Sequence, residues 1–121
     1  MYWNIQIDEK DTIIQFDIDL KSEHYILFLE ARKLLLSYSE IIEIKKERIT
    51  TYSDNNGGIC HMRTMPYGID FGFLKGSKME DQLNLLTGNG KSIRILPLKK
   101  LNNDAINYYL DQAFKLNIKT K

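Results

Sequence analysis

Three sets of residues in this 121-residue chain carry side chains able to do chemistry. The first is a series of carboxylates: Asp17, Asp19 and Glu23, then Glu40 and Glu43. Oxygen donors of this kind hold hard or borderline cations, ferrous iron among them. Interleaved with Lys45, Lys46 and Arg48, the later ones also read as a solvated charged face. The second set is Cys60 beside His61. Neighbours in a strand point to opposite faces, so the two cannot easily chelate together. There is no CxxC or HxxxH pattern, and transition-metal sites usually take three or four such ligands. The pair therefore reads as a buried thiol and a surface or satisfied imidazole. The third set is basic: Lys75, Lys91 and Arg94, with Gly76 and Tyr52 as companions. Here an arginine fork and an ammonium could receive an anionic group.

TGNGKS, at 87–92, has the look of a phosphate loop, yet the P-loop pattern needs glycine where Leu85 stands. It also needs a strand before and a helix after, so that helix N-terminal N–H groups meet the phosphate. The expected order here is the reverse, and the stretch reads as a glycine loop leading into a strand. No nucleophile–base pair or metal triad can be assembled from these residues, so the chain is read as a non-catalytic binding module.

The length suits one domain with a real core. Seventeen basic against sixteen acidic residues leave a net charge of +1, which argues against a nucleic-acid binder and against an acidic tail. A single cysteine excludes an intrachain disulfide, and MYWNIQIDEKD lacks the pattern of a signal peptide. No apolar run is long enough to span a bilayer. The expectation is a cytoplasmic protein that binds neither nucleic acid nor membrane.

The elements that must position these residues follow from periodicity. Residues 3–7 and 14–20 alternate apolar and polar with period two, and DEKD at 8–11 lies between them, which predicts an N-terminal hairpin. From Glu23 to Tyr38 the period becomes helical, with Ser22 as N-cap. Residues 41–53 could prolong the helix or enter a strand, with strand favoured at Thr50–Tyr52. DNNGG turns, GICHMRTM is a strand, PYG turns, and IDFGFLKG is the next strand. EDQLNLLT, at 80–87, is expected as a short helical turn closed by Gly88, and KSIRILPL as a strand. A helix over about 103–116, capped by Asn103, closes the chain. Short connections imply an antiparallel sheet, and two amphipathic helices need one surface to cover. The fold class is therefore α+β: a two-layer sandwich with the first and last helices on one face.

Glycines recur four apart in YGIDFGFLKG, at Gly68, Gly72 and Gly76. With Asp70 and Leu74 they would share one strand face, opposite Ile69, Phe71, Phe73 and Lys75. Bare backbone on that face implies close packing in a bent strand, or else a shallow groove floor.

Three stretches, GIDFGFLKGSKM, LLTGNGKSIRILPL and DAINYYLDQA, together resemble the second half of the YdhG-like family of domains of unknown function. The matching positions are Gly72, Phe73, Lys75, Gly76, Leu85, Leu86, Gly90, Lys91, Arg94 and Ala113. Helix 23–38 with the SEIIE that follows is similar to the family's first helix, so the resemblance covers about residues 22–116 of a single domain. It departs from the family at Glu47 and Thr50, where a proline is usual before the tyrosine, and at the strand-like start over 1–20. The resemblance implies a frataxin-like sandwich in a cytoplasmic bacterial domain. One member is regarded as an iron chaperone, so it also implies an alternative: an iron carrier using Asp17, Asp19, Glu23, Glu40 and Glu43. The leading expectation remains a binding module that receives a small anion or a protein partner near Tyr52, Lys75, Gly76, Lys91 and Arg94, with no resident cofactor. A second copy of the chain is a further expected partner, through the N-terminal hairpin.

Overall fold

The computed structural model describes residues 13–118. Helices α1 (Gln15–Lys21) and α2 (Tyr25–Leu36) come first. Five strands follow: β1 (Ile42–Lys45), β2 (Thr50–Asp54), β3 (Gly57–Met65), β4 (Gly68–Phe73) and β5 (Arg94–Leu98). Helix α3 (Asn103–Asn117) closes the chain. The sheet is an antiparallel meander in the order β1-β2-β3-β4-β5, so each strand neighbours the next in sequence. The α+β class and the antiparallel sheet are as the periodicity predicts.

Register explains which side is buried. Tyr52 faces Cys60, Cys60 faces Phe73, Met62 faces Phe71, and Phe71 faces Leu96. These residues form one core cluster with Phe28, Ala31 and Leu35 of α2 and Ile106, Tyr109, Leu110 and Ala113 of α3. The sheet's other side carries the row Ile44, Thr51, His61, Gly72 and Ile95.

The N-terminal expectation needs correction. The strand at 3–7 and the loop at 8–11 lie outside the described residues, but 15–21 is helix, not the second strand of a hairpin. Alternation over 14–20 would bury Ile18 and Leu20, yet they are 49% and 39% exposed. The two residues that α1 buries are Phe16 and Asp19, three apart, at helical spacing. Phe16 meets Phe28 edge to face at 5.7 Å. The Asp19 Oδ1 atom accepts from the Thr64 backbone N–H (2.9 Å), the Thr64 hydroxyl (2.7 Å) and the Gln15 amide (2.8 Å). A buried acid with three donors waiting for it overrides the period-two signal.

Two further expectations change. Residues 80–87 form no helix, only a single turn closed by the Asn84 N–H on the Asp81 carbonyl at 2.9 Å; the chain folds around Asp81, whose carboxylate accepts from the Leu85 N–H (3.1 Å) and from the Tyr109 hydroxyl. The α3 N-cap is Asn102, not Asn103: its side chain accepts from the Ala105 N–H at 3.0 Å. Ser22 ends α1, and its hydroxyl accepts from the His24 N–H (3.0 Å) just before α2 begins.

Of the three spaced glycines, Gly72 lies under His61: a Cβ there would stand 2.0 Å from the imidazole Cε1 atom. Gly68 has φ of +153°, and a Cβ would meet the Leu98 carbonyl oxygen at 2.0 Å. Gly76 lies against the start of β5, 2.5 Å from the Arg94 Cβ on the same measure. Each glycine therefore admits a close neighbour, and none floors an open groove.

Candidate anion-binding groove

Where β4 ends, the chain turns through a short 3-10 helix, Gly76–Lys78. Bare Gly76 lets this turn lie directly against Arg94. The Ser77 N–H then donates to the Ser92 carbonyl at 2.8 Å, which ties the turn to the loop entering β5. Beside this junction lies a groove of about 430 Å³. Lys75, Ser77 and Lys78 of the turn and Lys91 and Ser92 of the loop line it. Gly57, Gly58 and Leu74 also line it. Leu74 packs down on Gly58, where a Cβ would fall 2.3 Å from the Leu74 Cδ1 atom.

The groove's electrostatics are lopsided. Among the described residues the ion pair is Arg32 with Glu43, so no carboxylate lies within ion-pair distance of Lys75, Lys78 or Lys91. The Lys75 Nζ instead donates to the Leu116 carbonyl at 3.3 Å, at the C-terminal end of α3 where the helix dipole favours a cation. Asn117, 3% exposed, closes the inner end. Its amide donates to Asp54 Oδ1 (3.1 Å) and to the carbonyls of Gly57 (3.1 Å) and Gly58 (3.3 Å). The same Asp54 Oδ1 atom accepts from the Asn56 N–H at 2.8 Å.

The structure brings some of the expected residues together and separates others. Lys75 and Lys91 share the groove. Arg94 is not among the residues that line it: its Nη1 donates to the carbonyls of Gly90 (2.6 Å) and Ile93 (3.0 Å), bracing the loop that carries Lys91. Gly76 acts through close packing. Tyr52 lies fully buried in the core, its hydroxyl donating to Glu43 Oε2 at 2.8 Å. Burial and that bond push the phenol well above its ordinary pKa. Lys78, Ser77, Ser92 and Asn117 were not anticipated. The KGSK and GKS repeats of lysine beside glycine and serine were the available signal.

The carboxylate series does not converge. Asp19 is enclosed under α1. Asp17 and Glu23 border a separate depression with Met65 and Pro66. Glu40 accepts from the Asn55 amide at 2.8 Å. Glu43 accepts two bonds from Arg32, at 2.6 and 2.8 Å, which hold its carboxyl below the usual range. Among the described residues no group of three or more His, Cys, Asp or Glu could hold a metal ion. Cys60 is buried and its thiol pushed up by desolvation, so it is no ready nucleophile.

Among the described residues, no helix is long and apolar enough to cross a membrane. No protein-family model, curated protein or solved structure matches the chain.

Proposed function

We propose that this protein is a non-catalytic cytoplasmic binding module that receives an anionic group in the groove lined by Lys75, Lys78 and Lys91. The observation that carries this reading is the convergence of three lysines and two serines from separate segments on one groove, with no carboxylate paired to those lysines among the described residues. Ammonium groups left without an anionic partner are poised to bind one. The net charge of only +1 makes the concentration local rather than a property of the whole surface. The resemblance to YdhG-like domains supports a small binding domain.

The test is an amide NMR titration of the full chain at low salt with phosphate, sulfate and citrate. The expected result is saturable shifts at Gly57, Gly58, Ser77 and Ser92, weakened about tenfold by Lys91→Ala, the scale of one charge-assisted hydrogen bond. Absence of localised shifts at millimolar concentration of every anion would reject the reading.

A further inference from the structure

We infer that the anion taken by this groove is the phosphate of a small soluble phosphomonoester rather than a carboxylate; this deepens, and rests on, the anion-binding reading above. Donor geometry comes first. A carboxylate presents two oxygens in one plane and is matched best by the planar fork of arginine. The one arginine beside the groove, Arg94, is not among the residues that line it, and its Nη1 is held by the Gly90 and Ile93 carbonyls. What remains are three ammonium groups and two hydroxyls. Ammonium groups are compact point charges with no preferred plane, suited to an anion whose oxygens point in several directions.

Placement comes second. Lys75 and Lys78 come from the turn and Lys91 from the loop that the Ser77–Ser92 hydrogen bond ties to it. A phosphate carries three terminal oxygens, one for each ammonium group, whereas a carboxylate carries two. Charge is third: three ammoniums suit a dianion, and a phosphomonoester is dianionic above about pH 6. Size is fourth. About 430 Å³ is within the range of small-molecule sites, and Gly57, Gly58 and Leu74 leave an uncharged surface for a short organic body beside the phosphate.

The experiment follows the Ser77 and Ser92 amides and the Asn117 side-chain amide of the full chain at fixed ionic strength. The probes are glycerol phosphate, inorganic phosphate and succinate. The expected result is glycerol phosphate binding at least tenfold more tightly than succinate, and about fourfold more tightly at pH 7.5 than at pH 5.5 as its second proton leaves. Lys78→Ala and Lys91→Ala, both at exposed positions, should each erode that preference while the remaining amide spectrum stays unchanged. Succinate binding as tightly as glycerol phosphate would overturn this inference and leave the anion-binding reading standing. No shift with any probe would reject both. Sedimentation with vesicles containing phosphatidic acid, a phosphomonoester on a bilayer, supplies the other arm. Binding there without binding of soluble glycerol phosphate would overturn the assignment to a soluble ligand.

Discussion

The imidazole of His61 rests on the bare backbone of Gly72, its partner across the β3–β4 ladder, so closely that no Cβ fits between them. Gly72→Ala should therefore cost about 1–3 kcal/mol, the usual range for overpacking. The clash is with one side chain, so His61→Ala should absorb much of it. Denaturant melts of both single variants and the double variant check this. A cost that is unchanged in the His61→Ala background would show that the alanine is rejected by something other than the imidazole.

The same ring titrates out of step with the unfolded chain. Burial holds the His61 pKa below the usual imidazole value of about 6.5, reinforced by Arg63 and opposed by Asp70. The unfolded chain thus binds a proton that the fold resists. Stability is full above about pH 6.5, declines as pH falls from there toward the folded value, and levels off beneath it. Thermal melts from pH 7.5 to 5 should show this decline, and His61→Gln should flatten it. An identical slope in the variant would assign the decline elsewhere.

A second acid-sensitive contribution comes from Glu43. Its pKa is lowered, first through the Arg32 hydrogen bonds, so its contribution is present above about pH 4.5 and is lost as pH falls through the depressed folded value. Glu43→Gln should lower stability by about 1–3 kcal/mol near neutrality, because Arg32 loses its partner and the buried Tyr52 hydroxyl loses a charged acceptor. The variant and the parent should converge in strong acid. A constant gap between them down to pH 2 would exclude the ion pair as the cause.

Asp19 is structural on this geometry. Asp19→Ala removes the acceptor of the Thr64 N–H and hydroxyl and should cost about 1–3 kcal/mol. The cost should be the same with ferrous iron or a chelator present. Parent protein whose melting temperature rises with iron, in a manner that Asp19→Ala abolishes, would restore the carboxylates as a metal site.

The fold was legible where periodicity and turn chemistry agreed. Leu27 to Tyr38 at helical spacing, DNNGG and PYG between strands, and the IDFGF alternation all point to the elements that formed. Legibility failed where one tertiary contact outweighed a local pattern. Nothing adjacent to Asp19 announces that Thr64, far along the chain, will enclose it. Nor does LNLL reveal that Asp81 will turn the chain beneath Tyr109. In the groove, Lys75 and Lys91 were recognisable as cations. Their meeting depends on the Ser77–Ser92 bond, and the diversion of Arg94 depends on loop carbonyls, neither of which has a sequence period.

The meander also sets an order of assembly. Strands β2 to β4 join through tight turns, so their pairings need only short-range closures, which are fast. Closing β5 onto β4 is different, because it must bring together the two ends of segment 74–93. Those ends carry Lys75 and Lys78 on one side and Lys91 on the other. A ligand held by both would act as a removable staple on that closure, slowing release of the outermost strand. Equilibrium stability of the sheet edge and occupancy of the groove would then be two readings of one linked equilibrium.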